Sequence, residues 1–264
     1  MADAHDHALA AEVATRAGAL LVELRERMFS DGAAGWAVGD AGDAAAHELI
    51  VSALAAARPD DGLLSEEGHD DPARLEAARV WIVDPLDGTR EYSVPGRKDW
   101  AVHVALVEDG SPTAGAVALP AIGATLATQP APPPPPAHDG KPRLAVSRTR
   151  TTPAAQIVAH ALDADIVRLG SAGAKAMAVV LGHAEAYAHS GGQYEWDSCA
   201  PVAVARAAGL HTSRLDGSEL DYNYADPWLP DLLICRPELA ERALAALARA
   251  IAGGPAPAEK VPWS

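Results

Sequence analysis

Apolar residues recur at three- and four-residue spacing in the first part of the chain. From about Leu9 to Met28 they form the series Leu9, Val13, Ala17, Leu20, Leu21, Leu24 and Met28. This spacing places them on one face of an amphipathic helix. A second helix is predicted to begin at Asp43 and to end before Arg58-Pro59, because the glycine-rich stretch DGAAGWAVGDAG in front of it is expected to break the chain.

Short apolar runs predict the strands. They occupy residues 63–64, 79–83, 101–107, 114–119, 144–147, 166–169, 184–189 and 232–235. Further helices are predicted at residues 152–162, after Gly170, at 196–209 and at 237–251. Since strands and helices alternate, the expected class is α/β or layered α+β.

The tract from Pro130 to Gly140 contains the sequence PAPPPPPAHDG. Prolines cannot donate ladder hydrogen bonds, so an extended polyproline II connector is predicted here. A role as an interaction motif is the alternative that the sequence leaves open.

Composition and charge narrow the functional class. Of the 264 residues, 49% are hydrophobic and 22% are charged, which is typical of a globular protein. A formal net charge of −15 argues against binding to nucleic acid or to an anionic membrane. The negative net charge does not exclude a small anionic substrate, because a bound cation can make the electrostatic potential at the site positive.

The cysteine count and the N-terminal pattern bear on the cellular compartment. Two cysteines, Cys199 and Cys235, are too few for a disulfide framework or a thiolate metal cage. We find no secretory signal and no uninterrupted apolar run of about 18 residues. A cytoplasmic location is therefore expected.

Several acidic residues stand at predicted strand ends or helix starts, where a fold can bring them together. They are Asp43, Glu66, Glu67, Asp84, Asp87 and Asp197. Each one alone could be a helix N-cap or a turn residue. As a pair, Asp84 and Asp87 are harder to explain in that way, because they directly follow the apolar strand ending in Trp81-Ile82-Val83. Two carboxylates about 4 Å apart repel by roughly 4 kcal/mol at an effective dielectric of 20, so a compensating charge is expected.

The segment DPLDGT supplies only oxygen ligands around one point. Its two carboxylates, the Leu86 carbonyl and the Thr89 hydroxyl match the preference of Mg²⁺ and other hard divalent cations. If Gly88-Thr89 opens a helix or turn, free N–H groups there would face an anion. Together these features predict a metal-dependent phosphomonoester hydrolase.

Three spaced motifs, SEE, WIVDPLDGT and YEWDSCAP, resemble the lithium-sensitive, magnesium-dependent phosphatases of the inositol monophosphatase superfamily. The segments RPDDGLLSEEGHDD, GSAGAKAMAV and RLDGSELDYN are similar to those of its CysQ-type 3'(2'),5'-bisphosphate nucleotidases. The resemblance covers nearly the whole chain. It implies a layered α/β/α/β/α sandwich with an N-terminal half (1–129) that carries the main metal motif, the proline-rich loop (130–140), and a C-terminal half (141–264) that completes the site.

The resemblance also implies residue roles. Two or three Mg²⁺ ions would be held by Glu66, Asp84, the Leu86 carbonyl, Asp87 and Asp197, with Glu67 in support. Asp43 and Thr89, beside Glu66, would orient and deprotonate the attacking water. Substrate contacts would come from the amides of Gly88 and Thr89 and from Ser171, Lys175, His189 and Asp197. Other histidines, His47, His103 and His211, are expected to be structural.

The chain departs from the family pattern at two places. It reads WAVGDAGD where many relatives carry a lysine and a Val-Thr pair, and it has Tyr187-Ala188-His189 where nucleotidases often have Tyr-Pro-Arg. The second departure replaces an arginine that would contact phosphate with a histidine, which is only partly charged near neutrality.

The expected activity is removal of the 3'-phosphate from 3'-phosphoadenosine 5'-phosphate or its 5'-phosphosulfate relative, in sulfur assimilation and with inhibition by Li⁺. The alternative is activity on inositol phosphates or fructose 1,6-bisphosphate, and a catalytically silent metal-dependent binding protein is a third interpretation. The expected partner is a small phosphorylated nucleotide, and a homodimer is left open.

Overall fold

Helices and strands alternate through residues 1–253, which are the residues that the computed structural model describes. The helices are α1 (Ala4–Ser30), α2 (Gly35–Ala57), α3 (Thr89–Tyr92), α4 (Pro153–Leu162), α5 (Ala172–Val180), α6 (Glu195–Ala207) and α7 (Pro237–Gly253). The strands are β1 (Gly62–Ser65), β2 (Arg79–Asp87), β3 (Ala101–Glu108), β4 (Ser111–Leu119), β5 (Ala124–Ala127), β6 (Arg143–Ser147), β7 (Asp165–Leu169), β8 (Ala186–Tyr194), β9 (His211–Ser213) and β10 (Trp228–Cys235). Short 3-10 turns cover Pro72–Glu76 and Pro120–Ile122.

The strands form two five-stranded sheets. The first has the order β1-β2-β3-β4-β5, in which β1 and β2 are parallel and the other neighbours are antiparallel. The second has the order β7-β6-β8-β10-β9, in which β6 is parallel to both β7 and β8. The strands of the first sheet precede the proline-rich segment and those of the second follow it. The division into residues 1–129 and 141–264 remains a proposal, and its last residues, 254–264, lie outside the described part of the chain.

Strand alternation builds the layers. In β2, Trp81 and Val83 pack with α1 and α2, whereas Val80 and Ile82 face the opposite way, into a core shared with α5 and α6. The second sheet is covered by α5 and α6 on one face and by α4 and α7 on the other. The resulting order is α1-α2, first sheet, α5-α6, second sheet, α4-α7. The layered α/β/α/β/α sandwich expected from the sequence is therefore confirmed.

Helix α2 begins eight residues earlier than expected, so the predicted glycine-rich break is confirmed only at residues 31–34 and is wrong from Gly35 onward. The residues from Gly35 onward are helical. Gly35, Gly39 and Gly42 are spaced by four and three positions, so they lie on one helix face. A Cβ on Gly39 would come within 2.6 Å of Ser93 Oγ and 3.0 Å of Thr89 Cγ2. The glycines allow α2 to approach α3 closely, which outweighs their poor intrinsic helix propensity.

Smaller differences concern element ends. Helix α1 starts at Ala4 rather than near Leu9, because Asp3 and Asp6 form a capping box ahead of the apolar pattern. Strands β5 and β9 were not expected, since each is only three or four residues long. The proline-rich residues 131–139 adopt neither helix nor strand, and Arg236 donates to the carbonyls of Pro135 and Pro136.

Among residues 1–253, the helices are all too short or too polar to cross a membrane.

Candidate active site

Two aspartates of the candidate site, Asp84 and Asp87, lie at the C-terminal end of strand β2. The pairing of β2 with β3 shifts register between Asp84 and Asp87, where Pro85 cannot donate a ladder hydrogen bond. Asp84 Oδ1 accepts from the Leu86 N–H at 3.1 Å, which tightens this irregular end of the strand. Both carboxylates are buried.

The start of α6 brings a third aspartate to the same point. Oxygen atoms of Asp84, Asp87 and Asp197 all lie within 4.8 Å of one another. Asp197 Oδ2 also accepts from the backbone N–H of Tyr194 at 2.7 Å, as part of the capping arrangement of α6. Two residues predicted from DPLDGT thus meet one that is 110 or more positions away in the sequence.

Glu66 joins this cluster from the neighbouring strand. It directly follows β1, and its backbone N–H donates to Val83 O at 3.3 Å, so it stands beside Asp84. Desolvation of its carboxylate by the surrounding protein, together with the charge of Asp197, raises the pKa of Glu66 to about 7. Burial and the charge of Asp87 raise the pKa of Asp197 to about 6, and burial and Glu66 raise that of Asp84.

Desolvation is the largest cause of these raised pKa values, and repulsion between the neighbouring carboxylates adds to it. The donors are carboxylate oxygens that converge from the end of β1, from β2 and from α6; Asp84 and Asp87 are buried, Asp197 is half-buried and Glu66 is exposed. An all-oxygen set of this kind fits a hard divalent cation. The cluster is therefore able to hold a metal ion.

Asp87 is held from its other side by α5. Its two carboxylate oxygens accept from the backbone N–H groups of Ala172 and Gly173, at 3.1 and 2.5 Å. His103 Nε2 lies 3.1 Å from Asp87 Oδ2. Burial would raise the pKa of Asp87, but His103 and the backbone donor lower it overall. A Cβ on Gly173 would collide with His103, so glycine is required at this position.

His103 was expected to be structural, and the structure shows it in contact with Asp87. Its Nδ1 lies 2.9 Å from Trp196 O, where it acts as a donor, so Nε2 needs its own proton to face a carboxylate favourably. Burial opposes a charged ring, but Asp87 raises the pKa of His103 overall. The one sequence signal for this contact was a polar residue inside the apolar run AVHVALV. The structure places that residue, His103, opposite Asp84 in the pairing of β2 with β3.

Asp43 and Thr89 lie together next to the acidic cluster. Gly88 adopts φ 90° and allows α3 to begin at Thr89, as the sequence suggested. Thr89 Oγ1 donates to Asp43 Oδ1 at 3.1 Å and lies 3.2 Å from Leu86 O. Burial and the charge of Glu67 raise the pKa of Asp43 to about 7.

The predicted substrate contacts of the C-terminal half are engaged with the protein itself. Ser171 caps α5 by accepting from the Ala174 N–H at 2.9 Å. Lys175 Nζ donates to the carbonyls of Gly170 and Ser171, both at 2.7 Å, and burial lowers its pKa. His189 Nε2 lies 2.8 Å from Gly192 O, and burial lowers its pKa as well. Their roles toward a substrate remain predictions.

Asp99 links the start of β3 to the start of α5, a role that sequence analysis missed. Its carboxylate accepts from Gly170 N at 2.6 Å and from Arg97 and Arg148 at 2.8 to 2.9 Å. Its carbonyl accepts from Ser171 N at 3.2 Å. Loop residues that bond to another loop leave no periodic signal in the sequence.

The sequence profile of the inositol monophosphatase family matches residues 7–131 and 138–252. The chain belongs to the inositol monophosphatase family. The resemblance inferred from the motifs is thereby confirmed, and the family assignment agrees with the five-layer order and with the acidic cluster.

Proteins similar in sequence to this chain are named as nucleotide phosphatases. The chain is 51% identical over 251 residues to the 3'-phosphoadenosine 5'-phosphate phosphatase of Mycobacterium leprae, covering 90% of this chain and 92% of that protein. It is 32% identical over 210 residues to the 3'(2'),5'-bisphosphate nucleotidase CysQ of Salmonella typhimurium, covering 72% and 81%. The crystal structure of CysQ from Bacteroides thetaiotaomicron is 25% identical, has a TM-score of 0.74, and covers 88% of this chain and 97% of that one.

Proposed function

We propose that this protein is a metal-dependent phosphomonoesterase that removes the 3'-phosphate of 3'-phosphoadenosine 5'-phosphate or of its 5'-phosphosulfate relative. The observation that carries the proposal is the meeting of the acidic cluster with the Asp43–Thr89 pair. The 51% identity to the Mycobacterium leprae phosphatase supports the nucleotide as substrate.

The proposed metal is Mg²⁺, with two or three ions per site. Glu66, Asp84, the Leu86 carbonyl, Asp87 and Asp197 would hold them. When bound, such ions polarise a phosphoryl oxygen and lower the pKa of a water molecule. Backbone N–H groups hold three of these carboxylates in place: Leu86 donates to Asp84, Ala172 and Gly173 donate to Asp87, and Tyr194 donates to Asp197.

Asp43 is proposed as the group that accepts a proton from the attacking water. Thr89 donates its hydroxyl hydrogen toward Asp43 or Leu86 O, so the lone pairs of Oγ1 are free to orient that water. A pKa of about 7 for Asp43 suits a general base near neutral pH. The N–H groups of Gly88 and Thr89 are proposed to bind the scissile phosphate.

Ser171, Lys175, His189 and Asp197 stay proposed as contacts to the rest of the substrate. Burial keeps His189 toward its neutral form, so it would act as a hydrogen-bonding group rather than as a charge. Lys175 has three N–H donors, and two of them are used by Gly170 and Ser171.

The alternative substrates are inositol phosphates and fructose 1,6-bisphosphate, because the same carboxylate set would serve them equally. The identity to named nucleotide phosphatases favours the nucleotide. A catalytically silent binding protein is disfavoured, since Asp43 and Thr89 are both present and in contact.

The deciding experiment measures phosphate release from 3'-phosphoadenosine 5'-phosphate, inositol 1-phosphate and fructose 1,6-bisphosphate, with Mg²⁺ and with chelator. We expect the nucleotide to have the highest kcat/KM, with activity lost in chelator and reduced by Li⁺. Equal or faster turnover of inositol 1-phosphate would refute the nucleotidase assignment. Activity that survives chelation would refute the metal requirement.

A role in sulfur assimilation and a site formed between residues 1–129 and 141–264 are implied by the resemblance and stay predictions. A cytoplasmic location, expected from the cysteine count and the N-terminal pattern, also stays a prediction, and a homodimer stays open.

A further inference from the structure

A fully enclosed arginine stands at the end of the loop that carries Glu66. This loop leaves β1 at Ser65 and ends in the 3-10 turn Pro72–Glu76, where Arg74 is only 2% exposed. Arginine is rarely buried so completely unless its donors are paired. The partners of Arg74 therefore indicate what it does.

Two groups of partners surround the Arg74 guanidinium. Within the loop, Nε and Nη2 donate to the Asp70 carboxylate at 2.6 and 2.9 Å. Across to the C-terminal part of the chain, Nη1 donates to Asn223 Oδ1 at 2.6 Å and Nη2 to Tyr224 O at 3.0 Å. The Asn223 side chain donates back to Arg74 O at 3.3 Å. The planar fork of arginine thus connects the Glu66 loop to residues about 150 positions away.

The same residues are joined to the first turn of α6. The backbone N–H groups of Asn223 and Tyr224 donate to the two carboxylate oxygens of Glu195, both at 2.8 Å. Glu195 has no exposed surface, and it precedes Asp197 by two residues on the same helix. A continuous chain of hydrogen bonds therefore runs from Asp70 through Arg74 and Asn223 to the helix that carries Asp197.

We propose that Arg74 and Asn223 are positioning residues that hold the Glu66 loop against the start of α6 and so set the separation of Glu66 from Asp197. Glu66 directly follows β1, and Asp197 lies in the first turn of α6. Their two carboxylates repel one another. The hydrogen-bonded bridge opposes that repulsion, so that the oxygen set is already assembled when a cation arrives. The inference rests on the proposed function, because it concerns the metal site of that function.

Asn223→Gly is the cleanest variant to test this. Asn223 has φ 69°, a left-handed conformation that glycine adopts without strain. The substitution keeps the backbone N–H to Glu195 and removes only the amide that pairs with Arg74. Asp163→Gly is the matched control, because Asp163 also has a left-handed φ of 52° and lies in the turn after α4, outside the bridge.

The first measurement is calorimetric titration of the full-length protein with Mg²⁺ alone. We expect Asn223→Gly to bind about tenfold more weakly than wild type, the lower end of what is lost when groups supporting metal ligands are removed. Asp163→Gly should bind like wild type. Binding by Asn223→Gly within twofold of wild type would overturn the positioning role. A wild-type protein that binds no Mg²⁺ would instead overturn the proposed metal site, and the positioning role with it.

The second measurement separates positioning from general stability, and Arg74→Lys is added to it because an ammonium cannot reproduce the fork. We expect both bridge variants to need about tenfold more Mg²⁺ for half-maximal phosphate release. Their kcat at saturating Mg²⁺ should stay within threefold of wild type. A fall in kcat or in melting temperature without a change in the half-saturating Mg²⁺ concentration would show that the bridge is merely structural.

Discussion

Thr89 donates a hydrogen bond to Asp43 at 3.1 Å, across 46 positions of sequence. One residue opens α3 and the other lies in the middle of α2, so the contact depends on how closely these helices pack. The proposed water-activating pair is thus assembled by helix packing.

Replacing Asp43 by asparagine tests this pair. Asparagine has nearly the same shape but cannot take a proton, so kcat should fall by about 10²- to 10⁴-fold. Phosphate release at saturating Mg²⁺ measures the effect. Thr89→Ser, which keeps the hydroxyl, should retain most of the activity and serves as the control. An Asp43→Asn protein within twofold of wild type would rule out a general base at this position.

Asp87→Asn tests the metal site through stability. If Mg²⁺ binds only the native state, free metal at 100 times its dissociation constant should stabilise the wild type by about 2.7 kcal/mol. We expect the variant to lose this metal-dependent increase in melting temperature together with turnover. Asp109→Asn, which removes an exposed acid in the turn between β3 and β4, is the charge-matched control. Full activity in Asp87→Asn would refute its role as a ligand.

Lys175→Met asks whether the buried ammonium is mainly structural. The substitution removes the hydrogen bonds to the carbonyls of Gly170 and Ser171 and should lower the free energy of unfolding by about 1–3 kcal/mol. Urea unfolding measures this change. Unaltered stability combined with a raised KM would show instead that Lys175 mainly contacts substrate.

The ion cluster around Asp6 predicts a pH dependence of stability. Asp6 Oδ1 accepts from Arg79 at 2.7 Å and from Arg58 at 2.9 Å. Burial alone would raise the pKa of Asp6, but these bonds hold it well below its usual value. A carboxylate with a depressed pKa stabilises the fold above its unfolded pKa of about 3.9, and this contribution is lost as the pH falls further.

Asp6→Asn should therefore destabilise the protein by about 2–3 kcal/mol at pH 7, somewhat below the usual 3–5 kcal/mol for a broken buried pair because Arg79 keeps Asp61 and Glu108. The difference from wild type should shrink as the pH is lowered from 5 toward 2. Chemical denaturation across this range measures it. A difference that does not change with pH would contradict the assignment.

Gly39→Ala tests the close packing of α2. Alanine is the better helix former, by about 1 kcal/mol, yet its Cβ would meet Ser93 Oγ at 2.6 Å and Thr89 Cγ2 at 3.0 Å. We expect a lower melting temperature and reduced kcat, because α2 must move away and carry Asp43 with it. A variant that is more stable and fully active would show that the contact is not needed.

The strands could be predicted because most are short apolar runs, whereas the order of the layers came only from the family resemblance. Alternating residues such as Val80 and Trp81 separate cleanly between the two cores. Local pattern also identified Asp84 and Asp87. The convergence of Asp197 with them, by contrast, came only from family resemblance, since nothing local relates two segments more than 100 residues apart.

The failures have physical causes as well. The glycines of α2 were interpreted as helix breakers because propensity ignores the space that a neighbour requires, and at Gly39 and Gly42 that space is occupied by α3. The contact of His103 with Asp87 was not foreseen, because a histidine in an apolar strand shows no partner until the register places it near that carboxylate; its structural role stays a prediction. Arg74 gave no signal, since its bonds to Asp70 resemble an ordinary local ion pair and its other acceptors, on Asn223 and Tyr224, lie in a distant loop.

The central core contains residues of both sheets, among them Ile82 and Val117 from the first and Tyr187 and Ile234 from the second. A hinge motion that swung the two halves apart would expose this shared apolar surface to water, at a cost that grows with every residue uncovered. We therefore expect substrate entry and product release to leave this shared interior intact. The rate of product release should accordingly not depend on the length of the proline-rich connector between the two halves.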